Sequence, residues 1–160
     1  MIIAIDGLAA SGKSSTAKLL AKKLGFIHFS TGKMYRAITG YIINNELHEN
    51  LPDSIINVIN NLNIIVDGSN FENIHINNEN YSNNLYTDEI NSLVSLVSSI
   101  SEVRKKMVKI QRQLAENNCV VCEGRDICTV VFPNADYKFF FKASLHSRSN
   151  RRYLEMKKID

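Results

Sequence analysis

The chain has 160 residues, of which 44% are hydrophobic and 22% charged, so it can bury one sizeable core and has little room for two. This composition excludes a disordered, collagen-like or disulfide-rich protein, and no apolar run approaches the ~20 residues that span a bilayer. The N-terminus lacks the basic residues of a signal peptide, so we expect a cytoplasmic protein.

The net charge of +3 is unevenly distributed along the chain. Residues 37–103 contain nine acidic residues and no Lys or Arg, so all 19 basic residues lie in 1–36 and 104–160. Phosphate binding needs fixed positive charge, which these two outer portions must therefore supply. The basic run at 104–112 has no interleaved aromatic residues, so we do not expect nucleic acid as a partner.

The first part of the chain predicts the start of a parallel sheet. A short β-branched run forms a strand over 2–6, an amphipathic helix follows over 13–24, and a second strand covers 26–29. Strand–helix–strand at this length is a right-handed βαβ unit. Ser30 is expected to cap a further helix that ends near Asn45.

The middle and end of the chain predict an insertion and then a return to the sheet. The insertion has a helix over 53–62 capped by Asp53, short antiparallel strands at 64–66 and 74–76, and a helix over 88–97. A capping box at 99–102 opens a helix that runs to Ala115. The expected elements that follow are buried strands at 119–122 and 137–142 and a helix from about Leu145 to the end.

The cysteines at 119 and 122 match C-x-x-C, but they fall in a predicted strand. Residues three apart in a strand point to opposite faces, so a shared metal or bridge is disfavoured. We interpret both as buried strand residues in a reduced compartment.

One motif indicates chemistry by itself. Residues 7–14 read G-x-x-x-x-G-K-S between a predicted strand and helix, a spacing whose backbone N–H groups wrap a phosphate at a helix N-terminus. Lys13 should reach the β- and γ-oxygens, Ser14 should ligate Mg²⁺, and Ser15 is placed for the α-phosphate. The residues expected to bind ATP here are Gly7, Leu8, Ala9, Ala10, Ser11, Gly12, Lys13, Ser14 and Ser15.

The loop does not name the phosphate acceptor. A GTPase is disfavoured because no N-K-x-D segment occurs to read guanine. A nucleotide or small-molecule kinase must instead bring a second phosphate or hydroxyl near the γ-phosphate, with arginines to neutralise the charge.

Three further segments have a specific resemblance. They are Ser30-Thr-Gly-Lys-Met-Tyr-Arg36, the pair Val103-Arg104 after Ser95-Leu-Val97, and Glu123-Gly-Arg-Asp126 leading into Thr129-Val-Val-Phe-Pro133. Together with the loop, and in this order, they resemble bacterial cytidylate kinases, which phosphorylate CMP and dCMP with ATP. The resemblance runs from residue 2 to about 158.

The resemblance implies how the acceptor phosphate is bound. Arg36 and Arg125 would clamp the monophosphate, because guanidinium groups bind phosphate bidentately. With Lys13 they form the expected catalytic set. A phosphate oxygen would attack the γ-phosphorus in line, and catalysis would be positioning plus charge neutralisation.

The resemblance also implies a cytosine site. Thr31, Arg104 and Asp126 would bind the base, since a carboxylate suits its amino group and an arginine its acceptor atoms. Ser95 would lie near the ribose. For Asp126 a helix cap or a salt bridge remains the alternative.

Two more groups of residues follow from the resemblance. Arg148, Arg151 and Arg152 are similar to the R-x-x-R-R lid over ATP, with a solvated basic helix face as the alternative. Glu123 stands where the family usually has aspartate, and it would bind Mg²⁺ through water or brace the phosphate arginines. The expected cofactor is thus Mg²⁺ with ATP.

Besides Glu123, the chain departs from the family pattern at three places. Ser30 replaces an aspartate, Tyr86 stands where many members have arginine, and the sequence stops at Asp160 before a second arginine/aspartate cluster and the last strand and helix. We therefore expect four parallel strands where the family has five and, if the chain is complete, weak turnover and poor ribose discrimination.

The expected architecture is a P-loop α/β/α fold with a parallel sheet and an inserted NMP-binding subdomain. One kinase domain would span 1–160, with its core at about 1–52 and 96–143, the insertion at about 53–95 and a partial lid at about 144–160. The expected activity is phosphoryl transfer from ATP to CMP or dCMP by a monomer. The alternatives are another P-loop kinase for a small metabolite such as shikimate, and a truncated, catalytically weak nucleotide-binding protein.

Overall fold

The computed structural model describes residues 1–68 and 71–156, the side chains of 155 and 156 excepted. The predicted continuation of the last helix and of the lid segment to residue 160 lies outside the described residues. Contacts divide the chain into a first unit, Met1–Ser30 with Asn118–Asp160, and a second unit, Thr31–Asn117. The boundaries predicted for core, insertion and lid stay a prediction.

The first unit contains a four-stranded parallel sheet in the order β2-β6-β1-β7. Its residue pairs align Asp6 with Gly124, Ser30 with Glu123, and Gly7 with Phe141. The carboxyl ends of all four strands therefore meet at one edge. The elements of this unit are β1 Ile2–Gly7, α1 Lys13–Leu24, β2 Ile27–Ser30, β6 Val120–Gly124, a π-helical turn Ile127–Val131, β7 Tyr137–Phe141 and α6 Leu145–Met156.

The α1 helix packs on this sheet through small residues. Ala17 and Ala21 are buried against Ile3, Ile5 and Val121. Apolar side chains that are sealed from water at this interface stabilise the strand–turn–helix segment that carries the phosphate loop. The predicted α/β class and the predicted four parallel strands are confirmed.

The second unit contains a small antiparallel sheet and four helices. The sheet has the order β3-β4-β5, and α2 packs against α4 while α5 packs against α3 and α4. The rings of Tyr41 and Tyr81 pack edge to face, with their centroids 5.8 Å apart. The elements are α2 Thr31–Asn44, a 3-10 turn Leu47–Asn50, α3 Asp53–Ile59, β3 Ile64–Asp67, β4 Asn73–Ile76, β5 Glu79–Asn80, α4 Asp88–Ser99 and α5 Ser101–Ala115.

Two local predictions about helix starts are wrong. Ser99 is the last residue of α4, and its hydroxyl donates to the Leu96 carbonyl at 2.6 Å, so it does not cap α5. The residue before α5 is Ile100, which is extended and offers no side-chain cap. Asp53 lies in the first turn of α3, and the cap position is Pro52.

Two predictions of burial are also wrong. Strand β7 was expected to be buried, but Tyr137, Phe139 and Phe140 are 54%, 48% and 62% exposed. The reason is that β7 is an edge strand, which pairs with β1 alone among the strands that the structure describes. Cys119 is exposed because it precedes β6, whereas Cys122 within the strand is fully buried. No helix of the described residues is long and apolar enough to cross a membrane.

Candidate active site

The phosphate loop lies in the first unit between β1 and α1. Ala10 and Gly12 have positive φ angles of 57° and 94°, and the Ser11 amide donates to the Leu8 carbonyl at 3.2 Å. Residues in this left-handed region make the concave runs of N–H groups that bind anions. A Cβ on Gly7 would lie 2.8 Å from the Phe141 carbonyl oxygen, so this position needs glycine.

Lys13 is held across the loop by two oxygens. Its ammonium group donates to the Leu8 carbonyl at 3.3 Å and lies 4.0 Å from a carboxylate oxygen of Glu123. The side chain is only 12% exposed. A lysine oriented in this way already places its positive charge at the phosphate loop, and its side chain needs little rotamer change to do so.

Glu123 ends β6 and is held by the neighbouring strand. It is 4% exposed and accepts a hydrogen bond from the Ser30 hydroxyl at 2.5 Å. Ser30 and Glu123, two positions at which the sequence differs from the usual family pattern, are hydrogen-bonded to each other. A hydroxyl beside this carboxylate donates a hydrogen bond, whereas an aspartate at residue 30 would place two negative charges together.

The donor atoms around the loop fit Mg²⁺. Ser14 is exposed in the first turn of α1, and the hydroxyl of Ser11 is buried with no hydrogen-bond partner among the described residues. Hydroxyl and carboxylate oxygens are the hard ligands that Mg²⁺ prefers. Since Glu123 is already engaged by Lys13 and Ser30, it suits a water-linked role better than direct ligation.

A buried carboxylate positions the segment that follows β6. Asp6, which is 3% exposed, accepts hydrogen bonds from the amides of Ile127 at 2.7 Å and Cys128 at 2.9 Å. These amides begin the π-helical turn directly after Arg125 and Asp126. Asp6 therefore anchors the exposed Arg125 and the half-buried Asp126 beside the phosphate loop's strand. Sequence reasoning missed this role.

Asp6 also affects the chemistry of Cys128. Burial, together with the neighbouring Asp6 carboxylate, raises the pKa of the Cys128 thiol to about 11. Burial likewise raises the pKa of Cys122. Both thiols are therefore protonated at neutral pH and poor nucleophiles.

The predicted lid residues lie on α6. Arg151 reaches the phosphate loop, where Nη1 donates to the Ala10 carbonyl at 3.3 Å and lies 3.5 Å from the position of a Cβ on Gly12. Arg148 has a buried Nε with no partner among the residues that the structure describes. Arg152 is half-buried. The ATP-binding role of all three stays a prediction.

The second unit carries the other predicted acceptor residues. Thr31 begins α2 and is 5% exposed. Arg36 lies one turn later on the same helix, Ser95 is exposed on α4, and Arg104 on α5 donates to the Ser98 carbonyl at 3.3 Å. The expected meeting of Thr31 and Arg104 with Asp126 of the first unit stays a prediction.

Comparison with known proteins gives one consistent result. A sequence model of the family described as cytidylate kinase matches residues 3–160. The chain is 44% identical over 158 residues to a cytidylate kinase of Caldicellulosiruptor saccharolyticus, covering 97% of this chain and 69% of that protein. It is 46% identical over 155 residues to a cytidylate kinase of Caldanaerobacter subterraneus, with 97% and 68% covered.

A third relative contains a similar segment within a longer protein. The bifunctional pantoate ligase/cytidylate kinase of Prochlorococcus marinus is 40% identical over 153 residues, covering 94% of this chain and 30% of that protein. The chain thus spans about 70% of the single-function relatives named above.

Proposed function

Because the chain belongs to the cytidylate kinase family, we propose that it transfers the γ-phosphate of ATP to CMP or dCMP, giving ADP and CDP or dCDP. One observation carries the proposal. The phosphate loop with Lys13 held across it lies at the same sheet edge as the segment of Arg125 and Asp126. The phosphate loop and the segment of Arg125 and Asp126 follow adjacent strands, which supports the proposal that they bind the phosphate donor and the acceptor.

The proposed mechanism depends on positioning and charge. A CMP phosphate oxygen attacks the γ-phosphorus in line, while Lys13 compensates charge on the donor and Arg36 and Arg125 on the acceptor. No strong general base is needed. Mg²⁺ bound with ATP would neutralise phosphate charge, and Ser14, with Glu123 through water, would hold it.

Selectivity for cytosine is assigned to a carboxylate. Asp126 accepts the exocyclic amino group of cytosine, whereas uracil would place an oxygen against it. By analogy with wrong-base contacts, this mismatch costs about 1–3 kcal/mol, or about 5- to 150-fold in kcat/KM. Thr31 and Arg104 complete the base site and Ser95 contacts the ribose.

The remaining parts of the proposal concern closure of the lid over ATP, the cellular location and the oligomeric state. Arg151 already touches the Ala10 carbonyl, which supports a lid formed with Arg148 and Arg152 over the bound ATP. A closed lid would exclude water and suppress ATP hydrolysis. We place the enzyme in the cytoplasm as a monomer.

A coupled assay of ADP release tests the proposal. With ATP and Mg²⁺, CMP and dCMP should be turned over with a kcat/KM at least about fivefold above that of UMP. Lys13→Ala should abolish turnover, whereas Lys18→Ala, at an exposed position of the same helix, should not.

Two results would contradict the proposal. Equal turnover of UMP and CMP, or turnover only of an acceptor that is not a pyrimidine nucleotide, would indicate a different metabolite kinase. Binding of ATP and CMP without any transfer would indicate a nucleotide-binding protein that is not an enzyme.

A further inference from the structure

The guanidinium of Arg36 is held from three sides within the second unit. Its Nη1 donates to the Leu85 carbonyl at 2.9 Å and to Oδ1 of Asn91 at 2.8 Å. Its Cζ lies 4.5 Å from the centroid of the Tyr86 ring. Two hydrogen bonds and one aromatic ring restrict both the position and the orientation of the group.

The groups that hold Arg36 are themselves fixed to one another. Nδ2 of Asn91 donates to the Tyr86 carbonyl at 2.9 Å, and the Asn91 amide donates to the Thr87 carbonyl at 2.9 Å. Only one orientation of the Asn91 side-chain amide satisfies both ends, with its oxygen toward Arg36 and its nitrogen toward Tyr86. Thr87 caps α4 by accepting from the Ile90 amide at 3.3 Å, so the support is part of a helix start.

The distribution of charge along the chain explains why an aromatic ring, that of Tyr86, is suited to support Arg36. Arg36 is the last basic residue before Arg104, and the segment between them holds only acidic charges. An aromatic face such as that of Tyr86 stabilises a cation without adding a second cation or neutralising the first. A carboxylate at either supporting position would instead compete with a phosphate.

We infer that Tyr86 and Asn91 are positioning residues of the acceptor site, which preset the Arg36 guanidinium for the phosphate of the nucleoside monophosphate. The inference rests on the proposed function, in which Arg36 binds that phosphate. Arginine loses much rotamer freedom when it is ordered, and ordering it before the substrate arrives strengthens binding. Neither residue needs to touch the substrate.

The test is a double-mutant cycle on CMP affinity, measured by NMR titration so that turnover does not matter. Tyr86→Leu and Asn91→Ala should each weaken CMP binding about three- to tenfold, while Tyr86→Phe, which keeps the ring, should restore nearly all of it. In an Arg36→Ala background the same two changes should have an effect below about twofold, because both act through Arg36. The affinity for cytidine, which has no phosphate, should not change.

Controls separate positioning from folding. Tyr86 is 46% exposed, so its replacement should leave the thermal midpoint nearly unchanged. Tyr137→Leu, at an exposed tyrosine of the first unit, and Asn57→Ala, at an exposed asparagine of α3, serve as matched controls and should not alter CMP affinity.

Three results would overturn the inference. Tighter CMP binding by Asn91→Ala would mean that the contacts withhold Arg36 from phosphate. Equal losses with and without Arg36, or no loss at all while the wild-type chain binds CMP, would show that the two residues do not act through it. A wild-type chain that binds no CMP would contradict the proposed function itself and remove the basis of this inference with it.

Discussion

Replacing Asp6 with asparagine would perturb the anchor of the segment that carries Arg125 and Asp126. The two Asp6 oxygens accept from the buried amide of Ile127 at 2.7 Å and the partly buried amide of Cys128 at 2.9 Å. Asparagine has nearly the same volume but only one oxygen. One of the two amides would therefore face an NH₂ group and lose its acceptor.

The expected loss follows from these two bonds. A hydrogen bond to a charged acceptor contributes about 1.5–3 kcal/mol, and a neutral one about 1 kcal/mol. Asp6→Asn removes one charged bond and weakens the other, so the free energy of unfolding should fall by about 2–4 kcal/mol. For a chain of this size that corresponds to a thermal midpoint lower by about 5–15 °C.

The assay is urea denaturation followed by circular dichroism at pH 7. Asp136→Asn is the matched control, because Oδ2 of Asp136 accepts from the Ile2 amide at 2.6 Å in an exposed position. Water can replace that bond, so the control should lose less than about 1 kcal/mol. Equal losses in the two variants, or a loss below about 0.5 kcal/mol for Asp6→Asn, would refute the reasoning.

Three further predictions concern cysteine reactivity, the phosphate loop and the helical core. Because its pKa is raised to about 11, Cys128 should be alkylated about tenfold faster for each pH unit between pH 8 and 10. Its alkylation should also be slower than that of the exposed Cys119. Mass spectrometry measures both rates, and a plateau in the Cys128 rate by pH 9 would contradict this prediction. Gly7→Ala should weaken ATP binding at least about tenfold by calorimetry, since its Cβ would collide with the Phe141 carbonyl, and unchanged affinity would mean that the loop adapts. Gln111→Leu should raise the free energy of unfolding by about 1–2 kcal/mol, because both polar atoms of the fully buried Gln111 amide lack a partner among the described residues. A variant with a lower free energy of unfolding than the wild type would point to a function for the amide.

Local patterns predicted the elements around the phosphate loop well. The short β-branched run of β1 and the small apolar face of α1 are properties of short segments, so their bounds differ from the expected 2–6 and 13–24 by one residue at most. Strand β7 shows the limit. Its run of aromatic residues has the composition of a buried strand, but its exposure depends on lying at the sheet edge, which no local pattern specifies.

In the candidate site, too, local sequence patterns predicted some features and missed the contacts between residues that are distant in sequence. The spacing of the loop was enough to predict the place of Lys13 at the start of α1. The partners Ser30 and Glu123 lie 93 residues apart, and Asp6 lies 121 residues from Ile127, so neither contact has a signature in sequence spacing. A weaker signal exists for Asp6, since a carboxylate that ends an apolar strand must find hydrogen-bond donors when it is buried.

The most direct test of the central claim is a competition experiment in one tube. ATP, Mg²⁺ and equal concentrations of CMP and UMP are incubated with the chain, and anion-exchange chromatography separates and quantifies the diphosphates formed. We predict that CDP accumulates at least about fivefold faster than UDP and that ADP equals their sum. Equal rates of CDP and UDP formation, or ADP released without either diphosphate, would contradict the account.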